Sequence, residues 1–472
     1  MTDTALLSLI RTRPVTVIGL GISNLPLIDF LLSVGAKITA RDKKSLSELD
    51  PRAAALPEKG VRLILGEGYL DDINESIIFR SPGLRPDLPE LAQALQNGAI
   101  LTSEMELFLE LTPATVLGVT GSDGKSTTTT LTALMLEAEC KKRGVGRVFV
   151  GGNLGTPLLP RVKEMTEADF AVVELSSFQL QTLRRSPARA ALTNITPNHL
   201  NWHTDMAEYI SAKTNIFSHA PNTALITNAE NEISFSLSRD YPGDLTLFSS
   251  VKQSHADFSL EKGNSAIYRR DGMILFWDGK HETPVLPTKE ILLPGRHNVE
   301  NYMTAYGLCR PFVSCETVKE IAKSFTGVPH RLERIRIHEG VTYYNSSIDS
   351  SPTRTAAALS ALREKPIVIC GGRDKGIPFE PLAKALAERA KAVILTGEAA
   401  PKIKAVLRDT EAVQSGALPV WEESDFKEAV LLSRKLAKAG DTVLLSPACT
   451  SFDAFKNFEE RGDAFRRIVL SF

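Results

Sequence analysis

The sequence predicts an α/β protein of three domains: a Rossmann-like N-terminal domain, a central parallel-sheet domain with a small antiparallel β patch, and a C-terminal Rossmann-like α/β domain. Three observations predict it. Short apolar runs of strand length alternate with helical patterns along the whole chain. Several of these runs end in turns bearing Gly, Ser or Asp, as strand-to-helix connections at a sheet edge do. The 472 residues exceed one ordinary core, so boundaries are expected near Pro113 and Val328, giving domains 1–112, 113–327 and 328–472.

In the first domain a short helix (Leu6 to Ile10) precedes a strand, Val15 to Ile18. The turn Gly19-Leu20-Gly21-Ile22-Ser23-Asn24 then leads into a helix from Pro26 to Val34. A second strand, Lys37 to Ala40, ends near Asp42. This βαβ unit holds the first two glycines of the dinucleotide fingerprint, Asn24 in place of the third, and an acid (Asp42) about twenty positions on. A tight turn with no ligand explains the same text nearly as well. Ile77-Ile78-Phe79 followed by Arg80-Ser81-Pro82-Gly83 is another strand ending in a turn, expected beside the first at the same sheet edge.

The central domain opens with the most informative stretch. The buried-strand pattern Thr115 to Val119 runs into Thr120-Gly121-Ser122-Asp123-Gly124-Lys125-Ser126-Thr127, and a helix is expected from Thr127 to Ala138. Such a turn aims backbone N–H groups and a positive helix end at an anion, and Lys125 adds a full charge. Ser126 or Thr127 is placed to hold magnesium. The common nucleotide loop needs glycine five residues before its Gly-Lys pair; here Val119 stands there and Gly121 is the extra glycine. ATP is the expected ligand. Phe170 to Val173 reads as a strand ending on Glu174, the position from which nucleotide enzymes anchor magnesium. Another strand, Ala190 to Ile195, runs into Thr196-Pro197-Asn198-His199; a lone His there is more often structural than a ligand. From Leu245 to Leu293 short strands with Gly turns predict the antiparallel patch.

The third domain repeats the α/β alternation. Strands are expected at Ile367 to Cys370, Ala392 to Leu395 and Thr442 to Leu445, with helices at Pro381 to Arg389 and Phe426 to Ala439. Its polar strand ends are Gly371 to Gly376 and Ser446 to Phe452.

Composition excludes several classes. Lys plus Arg (55) nearly balances Asp plus Glu (56), so no broad basic surface for nucleic acid is expected. The five cysteines are scattered without a C-x-x-C pair, which speaks against a disulfide framework or zinc site and fits a reducing cytoplasm. No signal peptide or apolar stretch of membrane-spanning length is found, so a cytoplasmic protein is expected; the sequence itself is silent on oligomeric state, and a monomer is the default expectation.

A Rossmann-like domain, an ATP loop with a metal acid, and a third domain with polar strand ends suit the joining of a carboxylate to an amine at the expense of ATP. The phosphate loop, Glu174-Leu-Ser-Ser-Phe-Gln179 and Pro294-Gly-Arg-His297-Asn298-Val-Glu-Asn301 resemble the Mur ligases of peptidoglycan synthesis. Within that family, the text from Leu445 to Gly462 is similar to the members that add D-glutamate to UDP-N-acetylmuramoyl-L-alanine. The resemblance spans essentially the whole chain and implies an acyl-phosphate route, ATP and two magnesium ions.

It also implies roles. Gly21, Ile22, Ser23, Asp42 and Ser81 would hold the uridine and diphosphate, and Asn153 (with Gly152), Ser176, Ser177 and Gln179 the muramoyl-alanine part. Gly121 to Thr127 would cradle ATP, with Lys125 on the γ-phosphate. Asn298 and Asn301 would lie near adenine, and Arg331 near the phosphates. Ser126, Glu174, His199 and Lys213 would serve magnesium, although imidazole is not a typical magnesium ligand. Ser350, Lys375, Ser451, Phe452 and Phe458 would grip D-glutamate. By composition Lys213 is a solvated surface lysine; the resemblance makes it a carbamylated one, an oxygen anion suited to magnesium.

Three departures stand out. Asp123 replaces a frequent Asn in the loop, Asn198 replaces a common acid before His199, and Ser346-Ser347-Ile348 replaces an Asp-Ser-Lys triplet, with Asp349 as a candidate substitute. Alternative classes are an NAD-dependent oxidoreductase, which leaves the Gly121 to Thr127 loop idle, and a nucleotide-driven switch or motor. A sibling ligase would share the loop but lack the Ser446 to Gly462 text.

Overall fold

The computed structural model describes residues 4–21, 23–200, 202–261, 263–293, 295–374 and 376–472; Ile22 and Lys375, two expected binding residues, lie outside the described residues. The chain forms two compact units, Met1–Phe325 and Thr326–Phe472. Three sheets organise it as a three-domain α/β protein, two in the first unit and one in the second.

The N-terminal sheet is wholly parallel, in the order Arg62–Leu65, Ile38–Asp42, Val15–Ile18, Ile77–Arg80, Ile100–Thr102. Val15–Ile18 is buried at every position, so it reads as a continuous apolar run rather than an alternating one, as strands covered on both faces do. Ile18 pairs with Arg41 on one side and Arg80 on the other. The turn after Ile18, Asp42 and Ser81 therefore emerge together at one edge, as expected. The helix starts earlier than its apolar pattern, at Asn24–Ser33. Asn24 is the reason: its Nδ2 donates to the carbonyls of Ile18 (3.2 Å) and Gly19 (2.8 Å), tying the turn to the strand where the fingerprint would have glycine.

The central sheet has nine strands, in the order Glu282–Pro287, Met273–Trp277, Ser265–Arg270, Asp244–Ser249, Ala224–Asn228, Arg189–Leu192, Thr115–Thr120, Phe170–Glu174, Val148–Gly152. It is mixed. The antiparallel strands are no separate patch but its continuous edge, joined through parallel pairing of Asp244–Ser249 with Ser265–Arg270. The strand expected from Ala190 to Ile195 instead spans Arg189–Leu192, because Thr193 and Asn194 leave the ladder to brace the phosphate loop. Helices Lys125–Arg143 and Arg296–Cys309 pack against each other beside this sheet.

The C-terminal sheet runs Glu333–His338, Val341–Asn345, Thr442–Ala448, Ile367–Gly371, Ala392–Thr396, Val420–Glu422. Only its first pair is antiparallel. Helices Pro352–Ala361, Glu380–Arg389 and Ala400–Arg408 close one face, and Phe426–Leu436 and Phe458–Leu470 the other. Among the described residues no helix is long and apolar enough to cross a membrane.

One buried carboxyl makes the fold pH-sensitive. Glu104 opens helix Glu104–Leu111 and accepts the Leu159 N–H at 3.2 Å. Burial raises its pKa from 4.5 to about 7. The folded state thus binds the proton more tightly than the unfolded one, so this contribution to stability is complete below pH 4.5 and is lost as pH rises through about 7. The loss is on the order of 3 kcal/mol. Glu104→Gln is expected to raise the apparent melting temperature at pH 8, with the gain shrinking towards pH 5; a pH-independent difference would contradict this.

Candidate active site

The phosphate loop is shaped by close approaches that only glycine permits. Gly121 has φ +146°, and a Cβ there would stand 1.8 Å from Thr193 Oγ1. Gly124, φ +80°, caps helix Lys125–Arg143, and its Cβ would meet Asn301 Oδ1 at 2.5 Å. A side chain at either position would displace the loop from its braces. Those braces come from beyond the end of strand Arg189–Leu192. Asn194 accepts from the N–H groups of Ser122 (backbone oxygen, 2.8 Å) and Asp123 (Oδ1, 2.9 Å), and Thr193 Oγ1 donates to Asp123 O at 2.6 Å. Asp123 itself is exposed. Lys125 folds back over the loop, its Nζ donating to the carbonyls of Gly121 and Ser122 at 2.9 Å each. Ser126 is buried at the helix start, with Thr127 half-buried beside it. The result is a positive helix end with an ammonium group above it, which suits a polyphosphate.

Asn298 and Asn301 lie on the first turns of helix Arg296–Cys309 and reach this loop. Asn301 Nδ2 donates to Asn298 Oδ1 at 3.3 Å, and Asn301 Oδ1 accepts from Thr128 at 3.4 Å.

Glu174 ends strand Phe170–Glu174, adjacent to the loop strand, with Val119 directly opposite it. It is 2% exposed. Its Oε1 accepts from Asn153 Nδ2 at 2.7 Å, whereas Oε2 is buried with no hydrogen-bond partner. An unmet buried carboxylate oxygen is costly alone and is the hard donor that magnesium takes. Among the described residues no group of three His, Cys, Asp or Glu is gathered as a metal cage. Magnesium needs none, since it usually takes one or two carboxylates together with phosphate oxygens and water. The residues present therefore fit that ion.

Lys213 is not the solvated lysine its composition suggests. It is 2% exposed on helix Met206–Thr214, and its Nζ donates to Gly121 O at 2.7 Å and Thr120 Oγ1 at 3.4 Å. Burial, then the charge of Lys125, holds its pKa well below the usual lysine range. Four residues earlier Tyr209 bonds Ser122 Oγ at 2.9 Å. His199 is exposed, with φ +55°, its own N–H bonded to Asn198 Oδ1 at 2.8 Å and its ring edge-on to Phe178. Burial of part of the ring, then Lys125 and Lys213, lowers its pKa. The structure brings Gly121 to Thr127, Glu174, Lys213, Asn298 and Asn301 together around one loop. Sequence reasoning overlooks Thr193, Asn194 and Tyr209, whose only signal is a hydroxyl or amide just past a strand end or on the lysine's helix face.

At the N-terminal sheet, Asp42 Oδ2 accepts from Leu20 N–H at 2.6 Å, and Ser81 N–H donates to Ile18 O at 3.0 Å. These bonds draw Gly21, Ser23, Asp42 and Ser81 around one turn. Ser176 and Gln179 form a capping box for the short helix Ser177–Leu180, and Asn153 N–H donates to Glu174 O at 2.7 Å.

In the second unit, Ser451 is buried, Phe452 is 59% exposed, and Phe458 opens helix Phe458–Leu470 with its ring edge-on to His330. Ser350 N–H donates to Ile348 O at 2.8 Å, and Arg331 N–H to Val328 O at 3.1 Å. Asp349, the candidate substitute in the altered triplet, is buried and accepts from Ser446 Oγ at 2.8 Å; burial raises its pKa. Its carboxyl is thus engaged within the domain. Arg461 is the residue sequence reasoning missed here. Buried, it donates to Ser347 Oγ (3.0 Å) and the carbonyls of Ser347 (2.9 Å), Cys449 (3.2 Å) and Thr450 (3.1 Å), locking together the loops that carry Ser350 and Ser451.

Comparison with known proteins covers the chain nearly end to end. Residues 13–103 match the N-terminal domain model of MurD-like Mur ligases, 119–309 the Mur ligase middle domain, and 330–449 the Mur ligase glutamate ligase domain. A UDP-N-acetylmuramoylalanine–D-glutamate ligase of Acetivibrio thermocellus is 44% identical over 98% of this chain and 97% of its own. The like-named ligase of Clostridium perfringens is also 44% identical, with the same coverage. Among solved structures, the UDP-N-acetylmuramate–alanine ligase MurC of Thermotoga maritima superposes with a TM-score of 0.51 at 18% identity, over 97% of this chain and 99% of that one. That likeness is one of fold.

Proposed function

Because the chain belongs to the Mur ligase family, we propose that it is the ATP-dependent ligase that joins D-glutamate to UDP-N-acetylmuramoyl-L-alanine in peptidoglycan precursor synthesis. The observation that carries this reading is 44% identity over 98% of the chain to a ligase named for that reaction. The phosphate loop beside Glu174 and Lys213 supports it.

The γ-phosphoryl group of ATP passes to the L-alanyl carboxylate, giving an acyl phosphate and ADP. The amine of D-glutamate then attacks the acyl carbon, loses a proton and displaces phosphate as the amide forms. Positioning and charge neutralisation do most of this work. Lys125 holds the γ-phosphate against the helix start, while Asn298 and Asn301 line the adenine side and Arg331 serves the phosphates. Ser126 and Glu174 would hold magnesium, with His199 and Lys213 serving it, and the ion would supply further positive charge to the phosphate oxygens. Two ions are our reading. Lys213 enters it as a carbamate, formed when its amine adds to the carbon of CO₂ and releases a proton; the buried amine facing Gly121 O and Thr120 Oγ1 supports this.

Residues 1–112 are assigned to the UDP substrate through Gly21, Ile22, Ser23, Asp42 and Ser81. Residues 113–327 take ATP and, through Asn153, Ser176 and Gln179, the muramoyl-alanine part. Residues 328–472 take D-glutamate through Ser350, Lys375, Ser451, Phe452 and Phe458. The cytoplasm, where ATP is made, is the setting.

Phosphate release with UDP-N-acetylmuramoyl-L-alanine and ATP tests the reading. D-glutamate should stimulate it, whereas L-glutamate, L-alanine and a diamino acid should not. Release indifferent to D-glutamate would overturn the assignment.

A further inference from the structure

Phosphoryl transfer requires the acceptor carboxylate in line with the γ-phosphate, and a misplacement of about 1 Å can cost on the order of 10²-fold. On the reading above, the acceptor's nucleotide is held at the N-terminal sheet and ATP at the central sheet. Something must fix one sheet edge relative to the other.

Two arginines make that connection, one closing strand Ile77–Arg80 and one on the loop after it. Arg80 is buried and donates to Phe178 O (2.9 Å), within the short helix that follows Glu174, and to Thr182 Oγ1 (3.2 Å), just past that helix. Arg85 lies four residues past Ser81. Its guanidinium bonds Glu208 Oε1 at 3.0 Å and the Trp202 carbonyl, stands 5.1 Å over the Trp202 ring, and pairs with the exposed Asp87 at 2.7 and 2.8 Å.

Glu208 is the node on the other side. Its carboxylate also accepts from Thr204 N–H at 2.6 Å and Gln181 Nε2 at 2.7 Å, and lies 3.5 Å from His203 Nδ1. It sits on helix Met206–Thr214, the helix that carries Tyr209 to Ser122 and Lys213 to Gly121. One half-buried carboxylate thus ties the loop bearing Ser81, the segment after Glu174, and the helix that grips the phosphate loop.

We infer that Arg85 and Glu208 are a positioning pair for the phosphoryl-transfer step, setting the acceptor loop against the phosphate loop. The inference rests on the ligase reading and goes beyond it, since neither residue touches a substrate in that reading.

Arg85→Met and Glu208→Gln, singly and together, test it by D-glutamate-dependent phosphate release. Each single change should lower kcat about 10- to 100-fold, with KM for ATP within about threefold of wild type. The double variant should be no worse than the poorer single one, because both remove the same link. Arg85→Lys should restore part of the loss, and Asp87→Asn should stay within about twofold of wild type, since that partner is on the solvent side. Apparent melting temperatures should not follow kcat. Single variants with full kcat, losses that multiply in the double variant, or losses that track melting temperature would each overturn the pair. Wild-type protein that ignores D-glutamate would instead overturn the ligase reading, so the two failures are distinct.

Discussion

Replacing Lys125 with alanine is expected to reduce kcat by about 10³-fold or more, with a smaller change in KM for ATP. The ammonium is already held over the phosphate loop by the Gly121 and Ser122 carbonyls, so on the proposed reading it would meet the γ-phosphate with little reorganisation. Charge moves through that phosphate in the transition state, so the contact is stronger there than in the bound ground state and its loss falls mainly on kcat. Steady-state phosphate release with D-glutamate measures it, alongside a melting curve. Retained turnover in a folded variant would mean that the ATP site lies elsewhere.

Glu174→Gln is expected to separate activity from stability. The amide keeps the oxygen that accepts from Asn153 but removes the negative charge. Turnover at fixed magnesium should fall by about 10²-fold or more. Without magnesium, the melting temperature should hold or rise, because a neutral amide is less costly to bury than a carboxylate with an unmet oxygen. A melting temperature lowered in step with activity would make Glu174 a structural residue.

The fold was readable where local pattern and burial agree. Val15–Ile18, Ile77–Arg80 and Phe170–Glu174 are short apolar runs buried nearly throughout, and each ends in the turn its sequence announces. The hairpin Glu333–His338 with Val341–Asn345 was not foreseen: Glu-Arg-Ile-Arg-Ile-His does have the alternation of a half-buried edge strand, but with only two isoleucines among four charged or polar residues it is a weaker signal than the longer apolar runs. The continuity of the antiparallel strands with the central sheet was equally hidden. It rests on pairing Asp244–Ser249 with Ser265–Arg270 across an intervening connection, and no local window contains it.

The phosphate loop announces itself because its chemistry is contiguous in the chain. Lys213 does not, since the bonds that bury it reach 92 and 93 residues back, to Gly121 and Thr120. Arg461 shows the same limit. In sequence it is one more charge among Glu459, Glu460 and Asp463; in the fold it supplies the donors that two loops need, and only their meeting reveals it.

The outermost strand of the central sheet, Glu282–Pro287, has a consequence for the protein in solution. An open edge invites a strand from another molecule. This one carries Pro284 and Pro287, neither with an N–H to offer an incoming chain, and Glu282, which pairs with Arg270 at the end of the next strand but one. The nine-stranded sheet thus ends on a strand poorly suited to templating another.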